Sequence, residues 1–464
     1  MKNINKKKSQ FKLACFGGVG SVTGANFMLT SENGESYLID CGLIQGGKEE
    51  EKNNYEPFPF EPSEIKALFV THAHMDHIGR IPRLVEMGFS GDIYSTSATK
   101  EIAALMFDDA IKIMSYNYEK YGTLPLYEKE AVAKTMSLWK VFDYHKKYAV
   151  DELEIFLKNS GHILGSAMFV IGQNGGDRKI MFTGDLGNSP APLLTDTEEI
   201  GDGINYLVME SVYGDRNHDS KDERDRKLHS TIKRTLERGG TVLIPAFSLE
   251  RTQVILYKIN NMVEEHKIPS VPVYLDSPLA IKVTNVYKKY KDQFNQLVKE
   301  EIKGGDDIFD FPKLTLVKDV ADSSVIHGIP GPKIIIAGSG MSAGGRIQSH
   351  EKKYLPDPQN TLILVGYQAV GTIGRQLIEG LKKIKIEDDY VSVKSEVVSV
   401  LGYSSHKDSD GLLNFVGTGA QKLERIFVAM GEPKSSLFLA QRIYDEYDIS
   451  ALYPEKGKLY EIEL

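Results

Sequence analysis

Residues 71–80 read Thr-His-Ala-His-Met-Asp-His-Ile-Gly-Arg and follow directly on the apolar run 67–70, Ala-Leu-Phe-Val. Three of the chain's eleven histidines fall within six positions here, with an aspartate among them. A loop leaving a strand end can turn His72 and His74 one way and Asp76 and His77 another. One metal ion then takes the first pair and a second ion takes the next. Imidazole and carboxylate donors without thiolate suit zinc, with manganese or iron as alternatives. The spacing is not that of the helical HExxH metalloprotease pattern. A merely solvated polar loop accounts poorly for so dense a set of histidines.

Outward from this stretch, composition sets bounds. A chain of 464 residues exceeds one ordinary core, so two domains, or one with a large insertion, are expected. Its 41% hydrophobic and 26% charged content is that of a globular enzyme. No run of about 18 apolar residues is present, so no membrane partner is expected. Residues 1–10 are basic and lack a following apolar segment, which reads as a disordered tail and not a signal peptide. Two cysteines, Cys15 and Cys41, suit a reducing compartment, and a cytoplasmic location is expected. The net charge of −8 argues against bulk affinity for nucleic acid but permits a local basic groove.

Short β-like runs at 11–16, 26–30, 36–40 and 67–70 are punctuated by turn residues such as Ser31-Glu32-Asn33-Gly34. Helical spacing predicts helices over 98–121 and 128–142, and strands return at 153–157, 167–172 and 179–183. After about residue 215 strands and helices alternate, through "TVLIPAF", "VPVYLD", "KIIIAGSG" and "TLILVGY". Such alternation implies a parallel sheet covered by helices. From about residue 390 a β-rich style resumes. The expected organisation is a β-rich outer domain, 11–214 and 386–464, interrupted by an α/β insertion at 215–385.

Further ligands must come from other segments if the site is binuclear. "NSGHILGSA" offers His162 between glycines, "IMFTGDLGN" offers Asp185 at a strand end, and "VLGYSSHKDSDG" offers His406. Each alone is as readily a structural loop residue. Together with the first cluster they complete a two-metal inventory in which one carboxylate can bridge.

In these ordered motifs the chain resembles the metallo-β-lactamase-fold hydrolases, and more narrowly the β-CASP family of nucleic-acid-processing nucleases. The outer motifs are "LIDCGLIQG" with Asp40, "THAHMDH", "SGHILGSA" and "FTGDLG". In the insertion they are "MESVYGDR" with Glu210, "IPAFSLERTQ", "LDSPLA", "AGSGMSAGGR" and "VGYQAVGTIGRQ". The resemblance implies an α/β fold, an αββα sandwich with an inserted Rossmann-like domain and an active site in the cleft between them. It implies two zinc ions, one held by His72, His74 and His162, the other by Asp76, His77 and His406, with Asp185 bridging. A hydroxide activated by both ions would attack phosphorus, and Asp76 would accept the proton of the attacking water.

Asp40 then has no place among the ligands and is expected to orient a histidine by accepting its ring N–H. Glu210 would support proton transfer beside His406. The Gly-rich turn carrying Ser339 and Gly340 would cradle phosphate at a helix start, with Arg251 and Arg346 as phosphate contacts. Many family members have a histidine where this chain has Gln376. His350, within the helix after that turn, is then the candidate general acid.

The activity these features imply is a metal-dependent ribonuclease, a hydrolase that processes or degrades single-stranded RNA, with a homodimer as one assembly. Two other readings compete. One is a small-molecule thioester or lactone hydrolase of the same fold. The other is a non-catalytic RNA-binding homologue, whose usual mark is lost metal ligands.

Overall fold

The computed structural model describes residues 9–46, 48–366, 368–369 and 371–464. Most of the expected basic tail, residues 1–8, lies outside the described residues, and Gln10 already opens the first strand. Two compact units divide the chain. The first is Met1–Ala191, Asp196–Asn217 and His406–Leu464; the second is Pro192–Thr195 and His218–Ser405.

The first unit is a sandwich of two seven-stranded sheets. In spatial order one sheet runs Leu459–Glu463, Gln10–Gly17, Asn26–Ser31, Ser36–Ile39, Ile65–Phe69, Asp92–Ser95 and Trp139–Val141. The other runs Ser450–Leu452, Arg425–Val428, Tyr206–Met209, Lys179–Phe182, Ala167–Gln173, Leu153–Asn159 and Lys147–Val150. Alternation places Phe11, Leu13 and Cys15 of one sheet in the same core as Leu153, Ile155 and Leu157 of the other. The strand Ala167–Gln173 has six buried residues in succession because both its faces are covered. Phe169 points between the sheets, while Met168 and Val170 meet Leu412, Phe415 and Leu439 of the outer helices Ser409–Gly417 and Pro433–Tyr447. Between the second and third strands Gly34, at φ +85°, donates its N–H to Ser31 O, closing the expected turn.

The second unit carries a six-stranded parallel sheet, in the order Leu314–Leu316, Val273–Asp276, Lys333–Ala337, Thr241–Pro245, Thr361–Val365 and Glu396–Val400. Its inner strands are continuously apolar because helices cover both faces, as parallel sheets require.

Two sequence-based boundaries move. The helix expected over 128–142 is Lys129–Ser137, and Trp139–Val141 is a strand at the sheet edge. Trp139 decides this: its buried ring packs 6.4 Å from Phe107, and its indole N–H donates to Ser95 Oγ at 2.8 Å. The return to the outer unit, expected at residue 386, occurs at His406. Strand Glu396–Val400 pairs in parallel with Thr361–Val365, and Glu396 is held by Arg234 and Arg238 of the same unit. Strand periodicity is visible in sequence; the sheet that a strand joins is not.

Phe169 is fully buried, with its ring 5.6 Å from that of Phe69. Phe169→Ala should destabilise the first unit by about 3–5 kcal/mol, read as a lower urea midpoint. The exposed Leu124→Ala control should change stability by no more than about 0.5 kcal/mol.

Candidate metal centre

Strand Ile65–Phe69 ends just before the histidine cluster, and the chain turns into the short helix Met75–Ile78 with His74 at its N-cap. Backbone bonds lock this turn against the segment around Cys41. Cys41 N–H donates to His77 O, Arg80 N–H to Cys41 O, and Leu43 N–H to Met75 O. A Cβ on Gly42 would stand 1.6 Å from Asp76 O, so only glycine permits this approach. His162 is delivered by a loop in which its N–H donates to Ser166 Oγ, while Thr96 and Thr99 both donate hydroxyls to Gly165 O. Asp185 follows the end of strand Lys179–Phe182. His406 pairs with Gly187 through an isolated β-bridge, where a Cβ would meet Gly161 O at 2.0 Å.

Four side chains converge at this point. His72 Nε2 lies 3.1 Å from His74 Nδ1, and His162 Nε2 lies 3.2 Å from the same atom. Asp185 Oδ2 is 3.4 Å from both His72 Nε2 and His162 Nε2. Tetrahedral coordination at about 2.0–2.1 Å requires ligand–ligand edges of about 3.3 Å, and these separations match it. The other oxygen, Asp185 Oδ1, is 3.3 Å from His77 Nε2. Both of these atoms are buried, and neither completes a hydrogen bond of ordinary geometry. Such orphaned polar atoms are costly unless something else satisfies them. The donor set therefore fits a divalent metal ion. His74 and His162 are held well below the usual imidazole range, first by burial and then by neighbouring histidines, so they are neutral and offer lone pairs. Burial opposes the charge on Asp185, but His77, His406 and His72 outweigh it and keep the carboxylate ionised.

Among the described residues a second group of close donors is Asp185, Glu210 and His406. His406 Nδ1 stands 3.1 and 3.3 Å from the two Glu210 oxygens and 4.0 Å from Asp185 Oδ2. Burial opposes a charge on His406, and Glu210 with Asp185 reverses this, pushing it up to about 9. Glu210 thus stands beside His406, as expected. Asp76 shares the field of His77, Asp185 and His72; burial raises its carboxyl, and His77 opposes that. Asp40, at φ +58°, accepts from His77 Nδ1 at 2.7 Å through Oδ2.

In the second unit two expected site residues and one expected turn find their partners within the protein. His350 does not face outward as a general acid: it is wholly buried, with Nε2 2.7 Å from Asp276 Oδ2 and Nδ1 3.0 Å from His327 Nε2. Both ring nitrogens are committed to the interior. Arg346 is not displayed to phosphate. Its guanidinium donates to Asp276 Oδ1, Val317 O and Lys318 O, which ties the helix Arg346–Tyr354 to neighbouring strand ends. The turn with Ser339 and Gly340 is spent largely on itself. Ser339 Oγ accepts from Ala343 N–H, Ser339 N–H donates to Gly344 O, and Gly340 O accepts from Gln368 Nε2. Arg251 is buried at the start of helix Arg251–Glu264, 3.4 Å from Ser405 Oγ. Gln376 is half-buried in helix Ile373–Ile378. One residue escaped the sequence reading. Thr71, just ahead of the histidines, is buried and bonded to Asp40 through both its N–H and its hydroxyl. Its place between a strand end and the first ligand was the available signal.

Asp40→Asn should keep the backbone, because asparagine tolerates a positive φ, yet weaken the acceptor for His77. Metal affinity is expected to fall about 10–100-fold in a chelator competition, with the circular dichroism spectrum unchanged.

Comparison with known proteins bears on what the centre belongs to. Residues 21–245 match the metallo-beta-lactamase superfamily, 252–377 the Beta-Casp domain, and 390–454 the Zn-dependent metallo-hydrolase RNA specificity domain. Ribonuclease TTHA0252 of Thermus thermophilus is 34% identical over 430 residues, 93% of this chain and 95% of that protein. The RNase J-like protein of Methanocaldococcus jannaschii is 32% identical over 429 residues, 92% of this chain and 94% of its own. Transcription termination factor FttA of Methanosarcina mazei is 30% identical over 463 residues, 97% of this chain and 71% of that longer protein. Carrying all three matched domains and this identity across nearly its whole length, the chain belongs to the β-CASP family of metallo-β-lactamase-fold ribonucleases.

Proposed function

We propose that the chain is a zinc-dependent ribonuclease that hydrolyses phosphodiester bonds of single-stranded RNA. The observation that carries this reading is the division of Asp185 between two imidazole groups, Oδ2 toward His72 and His162 and Oδ1 toward His77. A carboxylate so shared suits two ions, which His72, His74 and His162 on one side and Asp76, His77 and His406 on the other would hold. Two such ions, when bound, supply an activated water and neutralise charge that builds on the phosphoryl oxygens.

The chain's own residues do the rest. Asp40 orients His77 through its Nδ1–H. With His350 locked inside the second unit, the proton for the leaving oxygen falls to Glu210, whose carboxyl burial raises and which is paired with His406. Glu210 is held by N–H groups of Leu186 and Val212, and its bond to His406 gives a proton path between them. His406, held by Glu210 through Nδ1, positions that acid beside the centre. Arg251 and Ser339 remain the proposed contacts to the RNA backbone. Because the net charge is −8, affinity comes from such local contacts and not from a global field.

Purified, zinc-loaded protein should cleave labelled single-stranded RNA, leave single-stranded DNA and a thioester largely intact, and bind RNA less tightly as salt rises. Thioester hydrolysis without RNA cleavage would overturn the reading, as would RNA binding without cleavage. Elemental analysis should give close to two zinc equivalents per chain, and Asp185→Asn should lower both. Glu210→Gln should cost about 10²–10⁴-fold in kcat if the pair supplies the proton; full activity would reassign that role.

A further inference from the structure

Thr71 stands where three segments meet. Its carbonyl accepts from Ala167 N–H, and its N–H donates to Asp40 Oδ1 at 2.8 Å. Its β-branched side chain lies against Gly184, the residue before Asp185, where an added Cβ would come within 2.7 Å of both Thr71 Cβ and Oγ1. The hydroxyl is 2.7 Å from Asp40 Oδ2, 3.0 Å from His72 Nδ1 and, more distantly, 3.4 Å from His77 Nδ1.

Counting protons assigns the direction of each bond. Two oxygens 2.7 Å apart, one of them a carboxylate, require a proton between them, and only the threonine hydroxyl can provide it. Its one hydrogen therefore points at Asp40. The face it turns to His72 is a lone pair, so His72 Nδ1 must carry the N–H. In the neutral ring that leaves Nε2 of His72 as a lone-pair donor, and Nε2 is the atom aimed at His74 Nδ1 and Asp185 Oδ2. Asp40 Oδ2 meanwhile accepts from His77 Nδ1, which in the neutral ring leaves the Nε2 lone pair toward Asp185 Oδ1.

We propose that Thr71 is a positioning residue that relays the Asp40 carboxylate to His72. A single oxygen, Asp40 Oδ2, thereby sets the ring tautomers of two histidines that face opposite oxygens of Asp185. His77 is set directly and His72 through the Thr71 hydroxyl. The two halves of the centre share one orienting carboxylate and differ in how they reach it. This inference rests on the reading of the cluster as a metal centre.

The test uses the full-length protein with histidine-selective ¹⁵N labelling, in metal-free form at a pH high enough that the His72 and His77 rings are neutral, beside zinc titration against a competing chelator. Thr71→Val keeps the branched shape against Gly184 and removes the hydroxyl; Thr71→Ser keeps the hydroxyl. In the wild type, long-range ¹⁵N–¹H correlations of His72 should show the Nδ1–H form. Valine should shift His72 toward the Nε2–H form, leave His77 in its Nδ1–H form, and weaken zinc binding about 10–100-fold. Serine should restore both readouts. An unchanged His72 tautomer in Thr71→Val, or a loss that serine does not restore, overturns the proposal. Should the valine variant fail to fold, Thr71→Ala carries the same comparison. A wild type that shows the tautomers but takes up no zinc would instead overturn the metal-centre reading.

Discussion

A buried carboxylate governs the outer unit. Asp185 is 2% exposed and has nitrogen atoms of four imidazoles, His72, His77, His162 and His406, within 4.0 Å. Taking an ionised carboxylate out of water costs several kcal/mol unless its oxygens are compensated. Here the compensation comes from separate stretches of chain, the motif at 72–77, the loop at 162 and the return at 406. The sandwich core holds the strand ends that deliver these stretches, and glycines let the stretches approach. Gly42 and Gly187 stand where any Cβ would collide with a backbone carbonyl. The loops are thus as tightly specified as the core.

The second unit solves a different problem with similar residues. Its inner parallel strands are apolar at their centres, and their ends carry polar groups that must be satisfied where they are buried. Asp276 is fully buried and accepts from Ser323 Oγ, Arg346 Nη1 and His350 Nε2. These bonds tie the end of strand Val273–Asp276 to helices Val320–Val325 and Arg346–Tyr354. Removing one partner would leave a buried charge without compensation, which costs more than the bond itself contributes. A histidine and an arginine that look ready for substrate are consumed in holding the scaffold.

The ligand cluster was legible in the sequence because its signal is local. His72, His74, Asp76 and His77 stand in one short segment behind an apolar strand, and periodicity placed most strands and helices within a few residues. His162, Asp185 and His406 carried a weaker version of the same signal, a strand followed by glycine and a donor. Spacing could not show which atoms face one another. Glu210 pairs with His406 because strand Tyr206–Met209 ends beside the Leu186 N–H that anchors Glu210.

What the sequence determined by itself was the inventory: the donor types, their motifs, the alternation of the insertion, and the family they resemble. Tertiary structure alone decided the assignments. It buried His350 against Asp276, turned Arg346 inward, moved strand Glu396–Val400 into the insertion's sheet, and set Thr71 between Asp40 and His72. The physical reason is common to all four. A polar or charged side chain takes its role from the partner that satisfies it once water is excluded. For His350 and Asp276 that partner lies 74 positions away, and for Thr71 and Asp40 it lies 31 positions away. Neither separation is written in the local pattern of the chain.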